Sequence, residues 1–218
     1  MNGRIPAGGQ VYTDWIIGWK AAATYIRESN ELIFMPLIYR HMHYEVESMA
    51  VCHYADHKHP PHDGCRCGFN AWHDADQAVS YMQPYARYYS GKAGVTYKGP
   101  HKIPVAASNN TLVILRVGLH GDVIEGSRPA WGYRAERQLV TDVFFNDICS
   151  LCPRDATCLG AVNSEYPLLW HLRHTTATSL LVWPLCGRHA DLAVRSVKPS
   201  EIALRNNVEV HWGYPASL

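Results

Sequence analysis

The sequence predicts a β-rich α+β protein, with a strand-dominated body followed by a treble-clef-like zinc module at the C-terminus. Three observations predict it. Strand-length segments rich in aromatic and β-branched residues recur through the first two thirds of the chain. A Cys-x-x-Cys pair at Cys149 and Cys152 is answered by Cys186-x-x-His189 at zinc-ligand spacing. Between the strands, residues 52–73 are crowded with Cys, His, Pro and Gly, a composition that regular structure does not accommodate. The expected division is a β-rich domain with a central Cys/His loop over residues 1–146 and a zinc-binding module over 147–218.

In the body, Asp14 to Tyr25, Glu31 to Tyr39 and His43 to Cys52 read as strands. After the Cys/His segment, Asp74-Ala75-Asp76 supplies a carboxylate to cap free amides, and a helix is expected from Asp76 to Met82, ended by Pro84. Residues 90–110 carry Gly, Pro, Ser and Asn and read as a loop. Thr111 to Val117, Asp122 to Glu125 and Tyr133 to Phe145 read as three strands, with Gly126 to Gly132 turning between the last two. In the C-terminal part, Leu168 to His174 and Ser179 to Leu185 are expected as hairpin arms about a turn at Thr175 to Thr178. A helix is expected from Gly187 to Ser196, then a short turn capped by Ser200, then a strand from Val208 to Trp212.

Composition narrows the function classes. The 218 residues are 47% apolar, enough for a sizeable core, and only 18% charged. Twenty Lys and Arg nearly balance 19 Asp and Glu, so there is no overall basic excess of the kind that grips nucleic acid or anionic membrane nonspecifically. No apolar run reaches the roughly 18 residues needed to span a bilayer. The start, MNGRIPAGGQ, lacks the basic and apolar regions of a signal peptide, so a cytoplasmic protein is expected. In that reducing compartment, seven clustered cysteines favour metal ligation over disulfides.

Zinc takes four tetrahedral ligands and favours thiolate and imidazole. A two-residue gap lets the chain turn both sulfurs of Cys149 and Cys152 towards one ion, and Pro153 suits such a knuckle. Cys186 and His189 fall where a strand gives way to the expected helix, whose N-terminus favours thiolate. With four protein ligands no position stays open for water, which makes the site structural rather than catalytic. The alternative is four residues buried as small apolar groups. Cys158 is spare, either a buried thiol or a substitute for one of the named ligands.

In the central segment, Cys52, Cys65 and Cys67 with His59 would fill a second tetrahedron, Gly68 allowing the sharp turn after the pair. The competing reading is a His-rich surface loop with buried cysteines. Catalytic patterns do not fit. His57-x-His59-x-x-His62-Asp63 has the wrong order for metallo-β-lactamase-type hydrolases. The zinc-deaminase pair His-x-Glu and Pro-Cys-x-x-Cys is missing, and His53-x-x-x-His57 lacks the Glu of His-Glu-x-x-His. An HNH nuclease on a treble clef would need an Asp-His that the preceding strand does not offer, His171 and His174 being poor substitutes.

Two stretches carry a resemblance. Cys65-Arg66-Cys67-Gly68-Phe69-Asn70-Ala71 is similar to a Cys-x-Cys-Gly-x-Tyr-Ala signature. Leu119 to Glu125, followed by Gly132-Tyr133-Arg134-Ala135-Glu136, is similar to Leu-Trp-Gly-x-Val-x-Glu and Gly-Tyr-Arg-Ala-Glu. Both occur in this order in uncharacterised proteins of actinobacteria and their phages, and the resemblance covers roughly residues 15–145. The chain departs at Asn70, where Tyr is usual, at His120, where Trp is usual, and by the insertion Ser127 to Trp131. The resemblance implies lineage and metal binding, not a reaction.

On strand alternation Arg134 and Glu136 share a side, and Glu125 on the preceding strand is placed to pair with Arg134. A structural ion pair beside Trp131 and Tyr133 is one reading. The other is a binding patch of Arg128, Trp131, Tyr133, Arg134 and Arg137, suited to an acidic protein surface or nucleic acid. The function expected is that of a zinc-stabilised binding protein, a phage factor acting on a host component, with a protein partner and no catalytic residues. The alternatives are a nucleic-acid-binding zinc protein and a metal-dependent hydrolase or HNH-like nuclease.

Overall fold

The computed structural model describes residues 15–37, 43–52, 60–62, 65, 67–82, 112–125, 132–162 and 180–215. They form a strand-dominated structure. The strands are β1 (Ile16–Ile26), β2 (Leu32–Pro36), β3 (Glu47–Met49), β4 (Phe69–Ala71), β5 (Leu112–Glu125), β6 (Tyr133–Phe145), β7 (Cys158–Val162), β8 (Leu180–Leu185), β9 (Arg195–Val197) and β10 (Glu209–Trp212). Residues 75–82 are helical (α1), and α2 spans Pro199–Asn206. All ten strands belong to one sheet.

Three long antiparallel strands, β1, β5 and β6, make the middle of the sheet. Side chains of all three enter one core: Ala22 and Ile26 of β1, the alternate residues Val113, Leu115, Val117 and Leu119 of β5, and Ala135, Val140 and Val143 of β6, where the ladder irregularities shift the alternation. The outer edge of β6 is satisfied by three short segments in succession: β4 against Tyr133–Ala135, β3 against Arg137–Leu139, and β10, running parallel, against Asp142–Phe145. The sheet also curls. Tyr44 exchanges both backbone hydrogen bonds with Phe34 of β2, and Trp72 does the same with Trp19 of β1. The segments flanking β3 and β4 therefore return to the opposite edge. α1 covers the outer face, packing Ala78 and Met82 on Ala21, Leu112 and Ile114. Its first amides are capped as the sequence implied, Asp74 Oδ1 accepting from the Gln77 amide at 2.8 Å.

Several elements differ from expectation. Asp122 to Glu125 is no separate strand; β5 runs through it, and the ladder is interrupted by irregularities after Arg116 and after His120. The second sits at Gly121, whose φ of +76° suits glycine and whose missing side chain leaves room for Glu136. The strand expected over His43 to Cys52 shortens to Glu47–Met49. No helix spans Gly187 to Ser196. A 3-10 turn at Ala190–Leu192 is followed by β9, because Val197 is buried against the core and Arg195 to Val197 complete the free edge of β7. Ser200 caps no turn: Pro199, whose fixed φ suits a first helical position, opens the eight-residue α2, and Asn207 ends it with φ of +51°. β4 and β7 have no counterpart in the sequence-based expectations. The loop at 90–110, the arm at 168–174 and the turn at 175–178 lie outside the described residues. Strands from either side of residue 146 share the sheet, since β8 continues on β1 and β10 on β6.

One charged side chain lies inside the curl. Lys20 is buried, its Nζ donates to Gln138 Oε1 at 2.7 Å, and the rings of Tyr44 and Phe69 flank it. Burial pulls its ammonium down to about 7. The folded state therefore holds fewer protons than the unfolded one from about pH 7 up to the ordinary lysine range. Stability contributed by this group rises with pH across that window, on the order of 1 kcal/mol per pH unit. Thermal melts of the parent and Lys20→Met across this window are expected to converge as pH rises, with Lys20→Met relatively most favoured at the acid end. A melting difference independent of pH would contradict the assignment.

Candidate metal centre

The C-terminal site is assembled from two turns. Ile148 and Asp155 bridge antiparallel, and the Cys149 amide donates to Arg154 O at 2.8 Å, so residues 149–154 form a tight knuckle. Within it the Leu151 amide points at Cys149 Sγ, 3.5 Å away. The second turn follows β8 directly: Cys186 comes just after the strand and the His189 amide closes back on Cys186 O at 2.9 Å. β7 holds the two turns in register, since Cys158 pairs with Leu185 and the Ser150 amide donates to Pro184 O. The site backs onto a core of Tyr25, Met35, Trp183 and Leu185.

These turns bring Cys149, Cys152, Cys186 and His189 together, with one ligand atom of each within 4.8 Å of the others. Nδ1 of His189 lies 3.4 Å from Cys149 Sγ and 3.5 Å from Cys186 Sγ, and the Cys152 and Cys186 sulfurs are 3.7 Å apart. A tetrahedral ion with bonds of about 2.3 Å to sulfur and about 2.0 Å to nitrogen sets such separations at about 3.8 Å and about 3.5 Å. The four atoms thus stand at the corners that a metal ion would require. Burial pushes the Cys149 thiol up. Burial also opposes ionisation of Cys186, but hydrogen bonds from Cys152, Cys149 and the His189 and Arg188 amides outweigh it and lower that thiol. A divalent ion would supply the charge that makes all three thiolates stable. Cys158 is outside the set; its Sγ donates to Leu185 O at 3.4 Å and burial keeps its thiol up.

Cys52, Cys65 and Cys67 also converge, with Cys52 and Cys65 sulfurs 3.7 Å apart. Cys52 lies just beyond β3, whose pairing continues through the Ala50 amide to Glu136 O at 2.7 Å, and Cys65 and Cys67 lie just before β4. The cluster therefore closes an excursion of the chain that leaves and rejoins the same stretch of β6. Gly68, at φ +107° and against Ala135 O, makes the turn into β4. Burial pushes the Cys67 thiol up to about 11. His59, the expected fourth ligand, lies outside the described residues; His62 is exposed and is not among the converging atoms.

Arg134 does not pair with Glu125. Its guanidinium donates to the carbonyls of Cys65 and His62, holding the Cys-x-Cys turn, while Glu125 meets His73 Nε2 at 3.1 Å. The register explains this: Arg134 is opposite Ile124 on β5 but opposite Asn70 on β4, beside the cysteine turn. Tyr133 packs edge-on against His73. Only Arg137 of the described patch residues is exposed; Arg128 and Trp131 lie outside the described residues. Sequence reading missed the role of Arg134, because nothing local reveals a partner 69 residues away.

No known protein family, curated protein or solved structure matches the chain.

Cys152→Ser is expected to lose one equivalent of bound metal and to lower the melting temperature by well over the few degrees that about 1 kcal/mol produces in a chain of this size. A variant that melts within about a degree of the parent would show that the site is not structural.

Proposed function

We propose that the chain is a zinc-stabilised binding protein, acting through a surface on a partner rather than by turnover. The observation that carries this reading is the C-terminal tetrahedron. Three sulfurs and one imidazole favour zinc, and four protein ligands leave no position there for an activated water. The same chemistry supports zinc at Cys52, Cys65 and Cys67. We read residues 147–218 as a treble-clef-like module whose helix is reduced to one 3-10 turn. In the setting suggested by the resemblance, the partner is a host protein met by a phage factor.

The surface favoured for that partner begins at Arg137 and crosses the sheet. Arg137 stands between Met49 of β3 and His120 of β5, and His120 stacks on Trp15 with ring centroids 4.5 Å apart. Trp15, Ile17, Met49 and Val51 are large apolar side chains left exposed, while Trp15 is held over Gly118, where any side chain would collide with its ring. Fixed aromatic, Met and Arg side chains are the residue types that anchor protein interfaces. The stacked Trp15 beside Arg137 also suits a nucleobase, which supports nucleic-acid binding as the second reading.

Affinity capture from a host lysate, with the parent beside a Trp15→Ser/Arg137→Glu variant, tests this. A protein retained by the parent at high salt and weakened by about 2 kcal/mol or more, about thirtyfold, in the folded variant is the expected result. Retention of nucleic acid alone, lost as salt rises, would favour the second reading. Equal capture by parent and variant would contradict the surface.

A further inference from the structure

Among the described residues a third cluster of ligand-type side chains differs in chemistry from the two cysteine sites and shares no residue with them. Asp142 sits on β6, and Glu209 and His211 sit two residues apart on β10, hence on one face. The parallel pairing sets Glu209 opposite Asp142 and His211 opposite Phe144. His211 Nε2 is 2.9 Å from Asp142 Oδ1 and 3.6 Å from Glu209 Oε2, and one ligand atom of each residue lies within 4.8 Å of the others.

An ion with bonds of about 2.1 Å separates neighbouring donors by about 3.0 Å in an octahedron and about 3.4 Å in a tetrahedron. The two measured separations bracket these values. Both carboxylates converge on one ring nitrogen, which carries at most one proton, so Asp142 takes the hydrogen bond and Glu209 is left to solvent. An ion would satisfy all three donors. The two inner ligands are also held by their surroundings. Thr141 Oγ1 donates to Asp142 Oδ2 at 2.7 Å, leaving Oδ1 turned towards His211, and the His211 ring lies stacked on Phe144 at 4.5 Å. Support of this kind orients ligands before an ion arrives. Glu209, by contrast, is largely exposed, so the outer side of the cluster faces solvent.

We propose that Asp142, Glu209 and His211 form a divalent-metal site of carboxylate–imidazole type with open coordination positions. Its ligand is an oxyanion of phosphate type, bound to the ion and to Arg116. Two carboxylates and an imidazole suit Mn2+, Fe2+ or Zn2+, whereas the thiolate sites disfavour Mn2+. Three protein ligands leave positions for water or a ligand oxygen. The Arg116 guanidinium, 3.6 Å from Asp142 Oδ2 and half exposed, stands beside the carboxylate with donors to spare for a second anion. The proposal does not depend on the binding-protein reading, because no cysteine takes part.

Mn2+ titration of the zinc-loaded full chain, followed by electron paramagnetic resonance, tests it. The parent is expected to take up one Mn2+ in the micromolar range. Glu209→Gln, an exposed change that leaves the core untouched, is expected to weaken binding by about tenfold or more, and Asp142→Asn to abolish it. Inorganic phosphate is expected to tighten Mn2+ binding in the parent and not in Arg116→Gln, which retains Mn2+ itself. Absence of submillimolar binding, or binding unchanged by Glu209→Gln, overturns the site. Should Asp142→Asn unfold, Glu209→Gln and His211→Gln decide by the same criterion. A phosphate effect that is absent, or that survives Arg116→Gln, overturns the oxyanion assignment. Zinc content is measured in each sample, so loss of the cysteine sites is separately visible.

Discussion

Convergence of buried sulfur is the constraint on which the arrangement rests. Cys149 and Cys186 are buried, and Cys52, Cys65 and Cys67 are brought into a second close group. Packed sulfurs at 3.7 Å are poor company as thiolates, since like charges in a dry setting repel. As thiols they contribute little beyond small apolar bulk. With an ion at the centre, each cluster becomes a covalent-like junction between segments remote in sequence: the 149–152 knuckle with the end of β8, and the end of β3 with the start of β4.

Those junctions lie where the sheet most needs them. β3 and β4 have three residues each and could not persist alone on the edge of β6. Arg134, on the carbonyls of Cys65 and His62, holds the end next to β4, and an ion in the cysteine cluster would tie that end to Cys52 beside β3. Their neighbours Tyr44 and Trp72 then reach β2 and β1, and the sheet curls. At the other end, β7 and β8 lie between the two turns of the C-terminal cluster and extend the edge of β1. An ion in either cluster would therefore act directly on the sheet topology.

Much of this was legible in the sequence, for a physical reason in each case. β6 is legible at its observed bounds because a run rich in Tyr, Val, Thr and Phe is set between Gly132 and Asn146-Asp147, residues that favour turns. The C-terminal ligand set was readable because ligand spacing is local: each pair is spanned by a single turn. Elements whose existence depends on distant partners were not legible. β4 lies in a stretch rich in turn-forming residues and exists because β6 offers a free edge. β9 occupies residues that read as a helix because β7 needed a partner and Val197 a core. Proximity along a hairpin only places Glu125 within reach of Arg134, whereas the carbonyls of Cys65 and His62 beside β4 claim it. The Asp142–Glu209–His211 grouping depends on a parallel pairing between strands 64 positions apart, which spacing cannot show.

X-ray absorption at the zinc edge of the purified chain reads the ligand shell itself. A sulfur-dominated four-coordinate shell is expected, with zinc–sulfur distances of about 2.3 Å and a nitrogen contribution at about 2.0 Å. A shell of oxygen and nitrogen alone, or a folded protein whose cysteines bind no metal, would contradict it.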